Sequence, residues 1–134
     1  MNDKQLSITR RQLTGLLAAL TIDYLLGVTL TTVISYDPNK HSTTQNIFLG
    51  AHILVAAGIL IGAVVRLVMS IKWQSMQLLS GIGLVSVLIS LAAGDYAAQK
   101  GSNLAVLLMA IFFIVAMLTY GFSFTKIYKN SQNL

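Results

Sequence analysis

Asp23, His52 and Arg66 lie inside apolar segments of this chain, where each needs a partner or a role. Asp23 falls within the run Leu13–Ser35, and a carboxylate at the centre of a membrane helix costs about 2.5–3.5 kcal/mol. His52 and Arg66 fall within a second run, Ile47–Ile71. Asp23 could bind a proton or a cation, act as a counter-ion, or hold a bound group. It could equally be a hydrogen-bonded residue that only fixes helix packing.

Arg66 has two interpretations. In the first, which the sequence favours, its long side chain extends to the headgroups and acts as a membrane anchor. In the second, it pairs with Asp23. Counting about 1.5 Å per residue puts Arg66 roughly 6–8 Å deep and Asp23 roughly 15 Å deep, so an extended guanidinium could approach the carboxylate. Such a pair would lower the cost of both charges.

His52 could be a proton carrier, a metal ligand or a haem ligand, since imidazole performs all three roles. The alternative is a histidine hydrogen-bonded to a neighbour such as Asp95, which lies at a compatible depth near the end of a third apolar segment. We expect no metal centre, because His41 is the only other histidine and too few ligands surround it.

The sequence contains no catalytic constellation. Cysteine is absent, which excludes disulfides, thiolate nucleophiles and cysteine-ligated metals, and the four acidic residues are all aspartates. No Ser/His/Asp set shares a side and a depth, and no glycine-rich phosphate loop is present. We therefore expect no enzymatic activity and name no catalytic residue.

The elements that position these residues are four apolar segments. The chain is 55% hydrophobic and only 10% charged, with a mean hydropathy of +0.74, whereas soluble domains carry about 25% charged residues. Each segment reaches the roughly 20 residues that a helix needs to cross a bilayer. The segments are Leu13–Ser35, Ile47–Ile71, Met76–Ala97 and Leu104–Thr125.

Short polar connectors separate these segments, and one contains the turn signal Asp37-Pro38-Asn39. The second connector is so short that the segments it joins must be antiparallel neighbours. The segments do not alternate in polarity as barrel strands do. The sequence thus predicts one domain, residues 1–134, an all-α up-down-up-down bundle of four transmembrane helices.

Basic residues predict the orientation of the bundle. Seven of the nine fall on one side of the predicted membrane: Lys4, Arg10, Arg11, Arg66, Lys72, Lys126 and Lys129. Only Lys40 and Lys100 fall on the other. The positive-inside rule therefore places both termini in the cytoplasm, in the plasma membrane of a bacterium or archaeon. The net charge of +5 does not indicate nucleic-acid binding, because the basic residues form no cluster that could follow a phosphate backbone.

His52 and Arg66 share one face of the second segment, because their fourteen-residue spacing is close to four helical turns. The stripe His52, Ala56, Ile59, Ala63 and Arg66 should face the bundle interior. Two sets of small residues predict close helix contacts: Gly58 with Gly62, and the face Gly83, Ser86, Ser90 and Gly94. Both sets are candidate surfaces for a homo-oligomer or for docking onto a larger membrane complex.

The segment Gly50–Gly58, followed by Arg66 and Leu67, resembles the second helix of small four-helix membrane families, in which a histidine at the helix entry precedes small residues and a basic exit residue. Haem A synthase halves and b-type cytochrome bundles are similar in this respect. The resemblance implies haem b with His52 as a ligand. Met109 lies at nearly the same depth in the fourth segment, so His/Met ligation is geometrically possible.

Three functions therefore remain open for this membrane protein. One is a cofactor-binding or redox-associated subunit that uses His52. Another is a small oligomeric transporter or channel that uses Asp23. The third is a structural or assembly subunit of a larger membrane complex.

Overall fold

The computed structural model describes residues 2–34 and 42–132, which form helices joined by short links. The α-helices α1, α2, α3 and α4 span Asp3–Val28, Thr43–Lys72, Gln77–Lys100 and Asn103–Gln132. A π-helical turn, Thr29–Val33, continues α1. All four helices are long and apolar enough to cross a membrane, and the described ranges contain no strand. The predicted four-helix membrane bundle is confirmed.

The helices extend beyond the apolar segments. α1 begins at Asp3, well before Leu13, because Asn2 and Gln5 form a capping box. The backbone N–H of Gln5 donates to the Asn2 side chain at 2.9 Å, and the Asn2 N–H donates back to the Gln5 side chain at 3.0 Å. The predicted segment end at Ser35, the turn at residues 37–39, Lys40 and His41 lie outside the described residues.

The helices pack as a ring in which each contacts two neighbours. α1 contacts α2 and α4, and α3 contacts α2 and α4, while neither diagonal pair has backbones in close contact within the described ranges. The four residues Trp73–Met76 link α2 to α3, and two residues link α3 to α4. We call the end that holds the start of α1, the α2–α3 link and the end of α4 the terminal end. The opposite end is the connector end.

Two polar contacts define how α1 and α2 are aligned. Thr9 contacts Arg66, and Asp23 contacts His52, so fourteen residues separate the contacts on both helices. The helices are therefore antiparallel, and the two contacts lie about 21 Å apart along them. The predicted inward stripe on α2 is confirmed, and it packs on leucines of α1. Between the contacts the buried residues are Leu13, Leu16, Leu20, Ala56, Ile59 and Ala63.

The small residues of α3 pack against α4 of the same chain. Gly83 lies against the Tyr120 ring, and Gly94 lies against the Met109 sulfur. Ser90 Oγ donates a hydrogen bond of 3.0 Å to the Met109 carbonyl. These close contacts occupy the face that we predicted as a surface for other subunits, so that prediction was wrong for α3. A small-residue face shows where helices approach but not which helix does so.

Gly58 and Gly62 of α2 have different environments. Gly62 packs against Leu16 of α1, since a Cβ at this position would lie 2.9 Å from a Leu16 methyl group. Gly58 is exposed, with nothing within 4 Å of its Cβ position, and lines an open groove with Gln12 and Gly15. One glycine of the pair therefore serves the bundle itself. Oligomerisation through the other stays a prediction.

Candidate functional site

Asp23 and His52 form an ion pair between α1 and α2. Nδ1 of His52 lies 2.9 Å from Oδ1 of Asp23. The Asp23 side chain is 9% exposed, while that of His52 is 28% exposed. Neither atom has a further hydrogen-bond partner among the described residues. The two charged groups therefore depend on each other for neutralisation within the bundle.

Gly27 makes room for the imidazole. It follows Asp23 by one helical turn, and a Cβ at Gly27 would lie 3.5 Å from Cε1 and 4.0 Å from Nδ1 of His52. The ring thus lies over a bare stretch of α1 backbone beside the carboxylate. This small residue lets α2 bring His52 within hydrogen-bonding distance of Asp23.

A cavity of about 20 Å³ adjoins Asp23 at the centre of the bundle. This volume is enough for one water molecule, which needs about 10–15 Å³. Its polar lining comes from Asp23 and Ser90, and the rest is apolar: Leu20, Ala56, Ile59, Val87, Leu91, Phe113 and Ala116. Asp23 therefore lies between a cavity large enough for a water molecule and the partly exposed ring of His52.

The Asp23–His52 pair can hold one proton in two ways. With the proton on the imidazole, the pair consists of a carboxylate and an imidazolium, and with the proton on Asp23 both groups are neutral. Both arrangements have the same total charge, so moving the proton between Oδ1 and Nδ1 changes no net charge inside the membrane. Adding a proton to the ion pair, or removing one from the neutral pair, does change it, and a buried net charge is costly.

Arg66 does not reach Asp23 and does not extend to the surface. Its side chain is 1% exposed, and its Nη1 donates to Thr9 Oγ1 at 3.3 Å, about four turns along α1 from Asp23. Both sequence interpretations, the headgroup anchor and the Asp23 pair, were therefore wrong. The alignment of α1 and α2 separates the two residues.

Asp95 does not reach His52. It lies on the exposed part of α3 near the connector end, where Oδ2 accepts a 2.8 Å hydrogen bond from Gln99 Nε2 one turn later. The predicted His52–Asp95 contact was wrong, because α1 supplies the partner for His52 instead. Asp95 thereby serves as a surface carboxylate for comparison with Asp23.

Met109 and His52 are on diagonally opposite helices. The sulfur of Met109 packs against Gly94 of α3, and its carbonyl accepts from Ser90. The structure thus places Met109 in the α3–α4 contact. The described residues contain no group of three or more metal-binding side chains of the His, Cys, Asp or Glu type. Haem b at His52 stays a prediction.

Thr9 and Tyr120 are polar-site residues that were not predicted from the sequence. Thr9 lies fourteen residues before Asp23, the same spacing that links His52 to Arg66, and comparing the two spacings would have suggested two contacts between antiparallel helices. Tyr120 lies in the apolar fourth segment and is 1% exposed. No comparable spacing links Tyr120 to another polar residue, so the sequence did not indicate its role.

No protein-family model, no curated protein and no solved structure matches this chain.

Proposed function

We propose that this membrane protein is a small transporter or channel in which the Asp23–His52 pair takes up and releases a proton. The observation that carries the proposal is the 2.9 Å contact between a buried carboxylate and an imidazole, on helices long enough to cross a bilayer. Ionisable residues inside membrane segments commonly mark ion pathways and proton relays. Imidazole is suited to such a role because its charge changes near physiological pH.

The geometry supports a short proton path. In the neutral pair, the Asp23 proton passes to Nδ1 of His52, and the resulting imidazolium releases the proton that Nε2 holds. Asp23, now a carboxylate, takes up a new proton from the bundle-centre cavity, so the pair is neutral again, and the ring returns its remaining proton from Nδ1 to Nε2 before the next transfer. The partly exposed ring supplies the exit from the buried pair.

Proton flux into liposomes tests this function. With the protein reconstituted, a pH gradient imposed and a pH-sensitive dye enclosed, Asp23→Asn is expected to reduce the flux by at least about tenfold, because an amide keeps the shape but does not carry the proton. Asp95→Asn, which removes an exposed carboxylate, is the matched control and should leave the flux unchanged. Equal flux through all three proteins would rule out Asp23 as the proton site.

We also infer that both termini face the cytoplasm of a bacterial or archaeal cell. The terminal end carries most of the basic residues, which favours this orientation. Because the chain has no cysteine, a Lys129→Cys variant reports the orientation directly. The introduced cysteine should be shielded from an impermeant maleimide in intact cells. In the liposomes, the same label distinguishes protein whose termini face outward from protein whose termini face inward.

Haem b binding at His52 is a second candidate function, favoured by the position of the imidazole beside a carboxylate. Haem- and metal-ligating histidines typically donate one ring N–H to a carboxylate, as Nδ1 of His52 is placed to do, and bind with the other nitrogen. A bound haem would supply electron transfer. After haem supplementation, the purified protein should show a Soret band that His52→Ala abolishes. A band that also disappears in Met109→Leu would assign Met109 as second ligand, and no band would contradict this function.

A further inference from the structure

A second polar cluster lies near the terminal end, about 21 Å from Asp23 along α1 and α2. Its centre is Arg66, the largest fully buried side chain of the described residues. Thr9 of α1 and Ser70 of α2 are completely buried, and Tyr120 of α4, which lies near Arg66, is 1% exposed. Met76, at the start of α3, also contacts the guanidinium. All four helices therefore contribute to the cluster.

The guanidinium of Arg66 has too few partners. It carries five N–H donors. Nη1 donates to Thr9 at 3.3 Å, Nη2 faces the weakly accepting sulfur of Met76 at 3.9 Å, and Nε has no hydrogen-bond partner. Within the described ranges no carboxylate lies within 4 Å of it. A buried charge without a counter-charge is costly, and this one has no counter-charge and fewer hydrogen-bond acceptors than its five N–H groups require.

Two buried hydroxyls in the cluster share this lack of partners. Ser70 Oγ and Tyr120 Oη have no hydrogen-bond partner among the described residues. Each hydroxyl can donate one proton, as Arg66 donates through its free N–H groups. The cluster thus presents several donors and one positive charge, and what it lacks is a charged acceptor. An oxyanion meets this need, because a planar guanidinium binds the oxygens of a phosphate or carboxylate in pairs.

We propose that the cluster around Arg66 binds a phosphate-type oxyanion, either the phosphate of a lipid headgroup or free phosphate. Its depth suits both sources, since Arg66 lies six residues, or about 9 Å, from the end of α2 at Lys72. Other basic residues of the terminal end, Arg10 and Arg11 among them, attract anions to this side of the molecule.

Met76 provides the cover of the site. The Met76 backbone is left-handed, with φ of +58°, and Met76 is the N-cap residue of α3. Its sulfur lies against the Arg66 guanidinium. The side chain is only partly buried and has three rotatable bonds, so it can turn away without moving a helix. That movement would uncover Nη2 of Arg66 on the side of the α2–α3 link, where an anion would enter.

The test measures thermal unfolding of the full chain, stripped of lipid in a neutral detergent. One arm adds sodium phosphate against sodium chloride of equal ionic strength, and the other adds phosphatidylglycerol against a neutral galactolipid. Because a ligand of the folded state stabilises it, the midpoint should rise in at least one arm. Arg66→Gln and Tyr120→Phe should raise the concentration needed for half of this rise by about tenfold or more. Arg11→Gln, which removes an exposed arginine of the same end, should not.

The two arms separate the sources of the anion. A rise in the phosphate arm assigns free phosphate, and a rise only with phosphatidylglycerol assigns a lipid headgroup. If Arg66→Gln does not fold, Tyr120→Phe and Ser70→Ala decide the result, since each removes only an unpartnered hydroxyl. The proposal is overturned if neither arm stabilises the protein, or if Arg11→Gln weakens the effect as much as Tyr120→Phe does.

Discussion

Replacing His52 with alanine is expected to lower the free energy of unfolding by about 3–5 kcal/mol. The loss arises because Asp23, only 9% exposed, keeps its carboxylate but has no counter-charge once the imidazole is gone. No other described basic group lies within 4 Å of it to replace His52. Reversible unfolding in mixed micelles, followed by circular dichroism, measures the change.

The double variant His52→Ala with Asp23→Leu distinguishes this cause from lost packing. Removing both members of a buried pair is often nearly neutral, so the second substitution should restore most of the stability. Asp95→Asn in the His52→Ala background is the control and should restore none. If the double variant is no more stable than His52→Ala alone, the loss comes from the ring that packed over Gly27 and not from an unpaired carboxylate.

A methyl group at Gly83 is expected to lower the free energy of unfolding by about 1–3 kcal/mol. The Cβ of Gly83→Ala would lie 2.5 Å from Cζ and 2.7 Å from the hydroxyl oxygen of Tyr120, and the ring is 1% exposed. Because the interior is close-packed, the ring cannot move aside without displacing its neighbours. The same unfolding measurement gives the effect.

Gly81 offers the matched control on the same helix. Nothing lies within 4 Å of its Cβ position, so Gly81→Ala should stabilise α3 by about 0.5–1 kcal/mol through the better helix propensity of alanine. The two substitutions add the same methyl group and are expected to have effects of opposite sign. Equal effects would show that the α3–α4 contact at Tyr120 yields to the added methyl group.

The helices and the inward face of α2 could be predicted because both are local properties of the sequence. An apolar run of sufficient length predicts a membrane-spanning helix, and the spacing of His52, Ala56 and Ile59 fixes one face of it. Neither inference depends on the position of another helix. The structure confirms both, with Ala56 and Ile59 buried in the core.

The partners of the polar residues could not be predicted in the same way. Counting depth from the polar end of each segment placed Arg66 within about 8 Å of Asp23, whereas the structure separates them by about 21 Å. The actual alignment depends on how α1 lies on α2, for example on the contact of Leu16 with Gly62. Such contacts join residues far apart in the sequence, and no local pattern specifies them.

The equal spacing of the two polar contacts between α1 and α2 has a consequence for assembly. Lipid tails are as apolar as leucine, so apolar side chains alone give two membrane helices little reason to stop at one position as they slide along each other. The two contacts are fourteen residues apart on both helices, so one alignment forms Thr9–Arg66 and Asp23–His52 together. A slide of one turn breaks both contacts. Once α1 and α2 are both in the membrane, these two contacts can fix their alignment without any contribution from α3 or α4.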